Sequence, residues 1–195
     1  MSLKGIVAYI SGTAPQPELA VTRERLLRLT PSGKADIVNG IARRFDALAR
    51  EHDVSTRLRL CHFLAQAAHE TDGFRTLEEY GGASYFLRYE GRQDLGNTQA
   101  GDGIRYHGRG IFQLTGRGNY RRFGTIIGID LEAEPERAKE PDISLLVAFA
   151  YWSERAINNA ADADDVAAVT KLINGGRNGL AERARYLEKA KGIWI

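Results

Sequence analysis

The chain has 195 residues, 43% of them hydrophobic and 27% charged, with a formal net charge of +2. That length suffices for one domain around a sizeable core, and the composition excludes a disordered or fibrous chain. The small positive excess gives no footprint for nucleic acid, and one cysteine, Cys61, excludes an internal disulfide framework.

After Lys4, residues 5–10 form an apolar or neutral run of only six residues. It is too short for a signal-peptide core or a membrane span. The expectation is cytoplasmic synthesis without a signal peptide, and no membrane insertion. Residues 12–17, with Gly12, Pro15 and Pro17, read as a loop. An N-terminal extension over 1–21 and one domain over 22–195 are expected. Thr22 caps a helix over 23–29, closed by Pro31. Ile37, Ile41, Phe45 and Leu48 form a ladder in a second helix, 34–51, whose other face carries Arg43, Arg44, Asp46 and Arg50. A third helix, 56–70, carries Leu58, Cys61, Leu64, Ala65 and Ala68 as an apolar stripe. Cys61 lies on that stripe and reads as buried and inert.

Residues 81–118 hold ten glycines. That density forbids a long helix and predicts loops with one short β-hairpin, around Arg105–Tyr106 and Ile111–Leu114. The string GDGIRYHGRG lacks the spacing of a phosphate-binding loop. Close backbone approach of a polymeric ligand is the better use of such glycines. A helix is expected over 119–127, ending at Gly128, then a polar connection to Pro141. Asp142 or Ser144 caps a strongly apolar helix reaching Ile157, read as the central buried one. Asp162 and Asp164 start another, to Ile173, and a last helix runs over 180–191. The expected fold is mainly α: a helical domain, a small glycine-rich β-hairpin lobe, and a cleft between them.

Chemistry concentrates in residues 63–80. Glu70 sits at the end of a packed helix, with Gln66 four residues before it on a neighbouring face. Gly73 supplies a left-handed stop, and Glu79 follows nine residues after Glu70. A carboxylate on a rigid element at a cleft is the placement of a catalytic acid. His69-Glu70 lacks the second histidine of a zinc-protease helix, because Gly73 stands there. His62 has no evident companion ligands. No metal and no cofactor is expected.

The string FLAQ-x2-HET-x-GF-x4-E, from Phe63 to Glu79, resembles the catalytic helix of family-19 glycoside hydrolases, the plant-type chitinases and many phage endolysins. GDGIRYHGRGIFQLTGRGNY, residues 101–120, is similar to that family's cleft-lining segment. INGG at residues 173–176, followed by Asn178-Gly179-Leu180 and Arg183, is the third match. The resemblance runs in register from about Thr22 to the C-terminus and implies a lysozyme-like fold. It makes Glu70 the general acid and Glu79 the base, with the Thr115 hydroxyl holding the attacking water. It makes Gln113, Asn119 and Asn174 sugar-binding and Arg183 a charged cleft residue, and His69 and Tyr120 join the substrate-binding set. The chain departs from the family where Tyr80-Gly81-Gly82 follows the base, where Phe112 replaces an aliphatic residue, and in a short loop between the carboxylates.

Glycoside cleavage needs one protonated carboxyl and one ionised carboxylate. Apolar neighbours around Glu70 and a more solvated Glu79 would divide those roles. Glu78 and Glu90 are the rival bases. Glu78 is expected to point elsewhere, and Glu90 to pair with Arg88 or Arg92 at the surface. Tyr85, Tyr89, Tyr106 and Tyr120 divide between sugar stacking and core. The expected function is hydrolysis of a β-1,4-linked aminosugar polymer by an inverting mechanism. Peptidoglycan is preferred over chitin, and a monomer would reach the wall after release by a holin or another route. A non-catalytic glycan-binding module is the alternative class, and the presence of both carboxylates argues against it.

Overall fold

The computed structural model describes residues 17–195. Ten α-helices order the described chain: α1 (Arg23–Leu29), α2 (Ala35–Glu51), α3 (Arg57–Glu70), α4 (Ala83–Phe86), α5 (Asp102–Arg105), α6 (Arg117–Ile127), α7 (Pro141–Glu154), α8 (Asn158–Asp162), α9 (Val166–Asn174) and α10 (Leu180–Lys191). None of them is long and apolar enough to cross a membrane.

Local chemistry sets the helix ends. The Thr22 and Thr56 hydroxyls accept from the N–H groups of Arg25 and Arg59, satisfying donors that α1 and α3 leave open. Gly128 closes α6 at φ 71°, where only a residue without Cβ is unstrained. Helix α7 begins at Pro141, whose missing N–H is harmless in the first turn. The expected caps of α7 have other tasks. Asp142 receives Arg43 at 2.7 Å, and the Ser144 hydroxyl accepts from Ile111 N at 2.8 Å. Asp165, not Asp162 or Asp164, caps α9. Asp162 instead binds Arg59, and Asp164 binds His62 and Lys191. Helix α7 ends at Glu154, three residues before the expected Ile157, and the extra helix α8 fills the stretch that the sequence pattern left as a connection.

Two cores result. The larger gathers α1, α2, α3, α9, α10 and one side of α7 around Phe45, Phe63, Phe149 and Trp152. Phe63 and Phe149 stack with centroids 4.4 Å apart, and Phe45 meets both edge-on. Every residue of α3 from Leu60 to Ala68 is buried, so α3 rather than α7 is the most enclosed helix. The smaller core unites Tyr106, Leu114, Tyr120, Phe123 and Leu131 with Ile143, Val147 and Ala150 of α7. Helix α7 therefore serves both cores, which explains why its apolar residues cover its whole circumference.

The expected N-terminal extension falls largely outside the described residues, but its end is packed. Val21 is buried, and the Trp194 indole donates to Ala20 O at 3.1 Å. The glycine-rich segment forms no hairpin among the described residues. Its pairing reduces to two isolated bridges at Arg109, to Glu78 and to Leu114. Arg105, expected in a strand, ends α5 instead. Glycines every few residues give too little side-chain packing to sustain a ladder.

Two stability predictions follow from this packing. A Cβ on Gly40 of α2 would lie 2.3 Å from Pro141 Cβ, so α2 and α7 touch backbone to ring. Overpacking against a rigid ring costs about 3 kcal/mol, against a helical gain for alanine of about 1 kcal/mol. Gly40→Ala is expected to lower Tm by about 4–8 °C in a thermal melt. Glu132 receives Arg121 and Arg117, and these hydrogen bonds hold its carboxyl at about 2, below the ordinary 4.5. A depressed carboxyl contributes stability that is complete above the unfolded value and lost as pH falls toward the folded one. Denaturant melts between pH 4.5 and 2 should fall less steeply for Glu132→Gln than for the unaltered chain.

Candidate active site

Glu70 closes α3, and its backbone is fixed by the buried residues that precede it. The chain then reverses sharply. Asp72, Gly73 and Phe74 have φ of 52°, 71° and 60°. Gly73 N donates to Ala68 O at 2.7 Å, and the Thr71 hydroxyl accepts from Phe74 N at 2.9 Å. The expected left-handed glycine is thus one of three residues in that region. Phe74 pays this backbone strain and is wholly buried.

Arg183 of α10, 2% exposed, donates to Glu70 Oε1 at 2.5 Å through Nη2 and to Gln66 Oε1 through Nη1. The Gln66 amide donates in turn to Thr170 of α9 at 3.2 Å. Glu70 is therefore oriented by a charged group, not by apolar neighbours alone as expected. Arg183 is a positioning residue under the site and presents no face to a substrate. Glu70 Oε2 accepts no hydrogen bond from the described residues.

Glu79 is docked on the other core. Its N–H donates to Gly108 O at 2.9 Å and its Oε2 accepts from Gly108 N at 3.1 Å. Its Oε1 accepts from Arg88 Nη2 at 2.6 Å and from the Tyr89 hydroxyl at 2.8 Å. Arg88 was expected beside Glu90, and Tyr89 on a sugar face or in the core, so neither was read as a partner of Glu79. No spacing rule links positions nine and ten residues on through a turn. An open groove of about 400 Å³ runs here, lined by Thr76, Glu78, Glu79, Tyr80, Gly81, Phe86 and His107.

The rival bases are engaged elsewhere. Glu78 accepts from His107 Nε2 at 3.0 Å and from Lys139 at 3.3 Å. Burial pushes its carboxyl up, but those two bonds and the Arg109 charge outweigh it and hold it below the usual range. Glu90 does not pair with Arg88 or Arg92. It accepts from Gly101 N at 2.6 Å and Gly103 N at 2.8 Å, tying down the start of α5.

The remaining expected residues divide. Gln113 is half-buried, and its Oε1 would lie 2.8 Å from a Cβ on Gly108, a point 3.1 Å from Glu79 Oε2. Gln113 therefore lies beside Glu79. The Thr115 hydroxyl donates to Gln113 O at 2.9 Å and keeps its lone pairs, while Asn119 donates to Thr115 O at 2.7 Å. Tyr120 is a correction: it is fully buried and its hydroxyl donates to His107 O at 2.8 Å, so it supports the groove from beneath. Asn174 uses both side-chain polar atoms, on Gly176 N and Asn178 O, to shape the loop before α10. His69 pairs with Glu182 at 2.7 Å, and its ring occupies the space that a Cβ on Gly179 would need, 2.2 Å from Cε1.

Two held carboxylates on adjoining helical lobes are the equipment that glycoside cleavage uses. Residues 34–177 match the protein-family model described as Chitinase class I. A glycosyl hydrolase family 19 domain-containing protein of Haemophilus influenzae is 31% identical over 176 residues, spanning 76% of this chain and 86% of that one. The chain belongs to glycoside hydrolase family 19. It is also 31% identical to acidic endochitinase Q of Nicotiana tabacum over 145 residues, 64% of this chain but only 53% of that protein. Chitinase C of Streptomyces griseus shares the fold with a TM-score of 0.74 at 22% identity, over 90% of this chain and 77% of that one.

The Gly108 contact gives a test of Glu79. A Cβ there would meet only the ends of two side chains, Gln113 and Glu79, and no backbone. Gly108→Ala is expected to leave Tm within about 2 °C while lowering kcat at least about tenfold. Melting curves beside steady-state kinetics check it.

Proposed function

We propose that this glycosidase cleaves a β-1,4-linked aminosugar polymer, peptidoglycan in preference to chitin, by an inverting mechanism. The observation that carries the reading is the unequal pair of carboxylates. Glu70 is fixed through one oxygen with the other unengaged, and Glu79 takes donors on both oxygens. Glu70 would deliver its proton to the glycosidic oxygen as the bond breaks. Glu79 would take a proton from the water that attacks the anomeric carbon. Thr115, with unused lone pairs beside Gln113, suits the role of steadying that water.

The preference for peptidoglycan rests on charge and shape. A net charge of +2 favours an acidic polymer over neutral chitin. Only eight residues separate Glu70 from Glu79, and the groove beside Glu79 is open, which suits sugars that carry peptide branches. Chitin is the second reading, favoured by the match to the class I chitinase model.

Turbidity loss of permeabilised bacterial cells, run beside release from chitin oligomers, separates the two. Faster clearing of cells supports peptidoglycan, and turnover of oligomers alone transfers the reading to chitin. Glu70→Gln keeps a carbonyl oxygen for Arg183 but removes the transferable proton. Its rate on either substrate should fall at least about 10²-fold with the fold intact by circular dichroism. Early-time NMR should show the α-anomer from a β-linked substrate, and initial β-anomer would sink inversion.

A further inference from the structure

Packing accounts for the four tyrosines expected to divide between stacking and core. Tyr106 and Tyr120 are 1% and 0% exposed. The Tyr89 hydroxyl is committed to Glu79. The Tyr85 ring is covered by the Arg88 guanidinium 3.8 Å from its centroid, and it fills the space where a Cβ on Gly81 would lie, 2.6 Å from Cδ1. Tyr80, which none of the three motifs includes, has the opposite environment. At 66% exposure it is the most exposed aromatic residue among the described ones, and it lines the same groove as Glu79, the residue before it.

An aromatic ring left in water is unfavourable, and a loose one would gain little by stacking because binding must first order it. Tyr80 is not loose. Its hydroxyl donates to Asp72 Oδ2 at 3.0 Å. Arg75 holds the same carboxylate oxygen at 2.5 Å and Asp72 O at 2.9 Å. Asp72 sits in the left-handed turn that follows the Glu70 helix, at φ 52°. The ring is thus tethered at its far end to the turn after one carboxylate, and by its backbone to the other. A pyranose presents a face of C–H groups to such a ring, and two polar atoms fixing an aromatic body is the usual build of a recognition surface.

We propose that Tyr80 is the stacking platform of a glycan subsite beside Glu79, binding an aminosugar unit next to the one being cleaved. The Asp72–Arg75 pair pre-organises its ring. The assignment uses the glycan reading of the site for its ligand, but it concerns binding and is tested by binding.

Titration calorimetry on the full chain carrying Glu70→Gln, with N-acetylglucosamine hexamer and with peptide-free glycan strands of peptidoglycan, measures it. Adding Tyr80→Ala should weaken the tighter glycan about tenfold, and Tyr80→Trp should restore affinity to within about twofold. Tyr80→Phe, which keeps the ring and removes the tether, should fall between. In the active chain Tyr80→Ala should raise KM about tenfold with kcat within about threefold and Tm unchanged. Unaltered affinity in Tyr80→Ala overturns the subsite. So does a loss that tracks a fall in Tm and is not restored by Trp, or a failure of the Tyr80-bearing chain to bind either glycan. Glycan binding that depends on Tyr80 without any cleavage by the unaltered chain would overturn the catalytic reading and leave the subsite standing.

Discussion

Helix α7 is apolar on every side because it has no solvent side of consequence. Leu145, Ala148, Phe149 and Trp152 turn into the larger core, while Ile143, Val147 and Ala150 turn into the smaller. The buried Ser144 hydroxyl adds a polar stitch to Ile111 at the seam. One helix shared by two cores makes the lobes a single packed body, since neither can move without exposing part of it. The rest of the site depends on that constraint.

Each carboxylate is held through a different lobe. Glu70 is fixed from α3, α9 and α10 through Thr170, Gln66 and Arg183. Glu79 is fixed from the glycine-rich lobe through Gly108, Arg88 and Tyr89. The segment between them is a left-handed turn at residues 72–74. Such a backbone persists only where its surroundings over-determine it, and the buried Phe74 side chain does so here. Burying the Arg183 guanidinium is expensive unless its donors are met. Glu70, Gln66 and Asn178 O meet them, so the network orients the acid and satisfies its own cost.

Glycine has a second use beside its turns. At Gly108 and Gly179 the missing Cβ is filled by site side chains, Gln113 and Glu79 in one case and the His69 ring in the other. At Gly108 the backbone reaches the Glu79 carboxylate directly, and that pairing substitutes for the strand ladder that the glycine-rich segment does not form.

Much of this was legible in the chain. Thr22 as a cap, Gly128 as a stop and the span of the last helix follow from local rules that act within one helical turn. The mainly α fold and the family followed from three separated motifs, and Gln66 from its four-residue spacing to Glu70. Other features depend on partners distant in sequence. Arg183 and Tyr120 read as cleft and substrate-binding residues, yet one lies under Glu70 and the other under His107, because burial is decided by which elements pack over a residue. Glu90 stands between two arginines in sequence, yet it binds the N–H groups of Gly101 and Gly103, which the fold brings to it. Periodicity therefore determined the longer helices, and the family resemblance named the carboxylates. Only the tertiary structure decided which charges meet, because ion pairs across 113 residues, such as Arg183 with Glu70, are set by packing and not by local sequence.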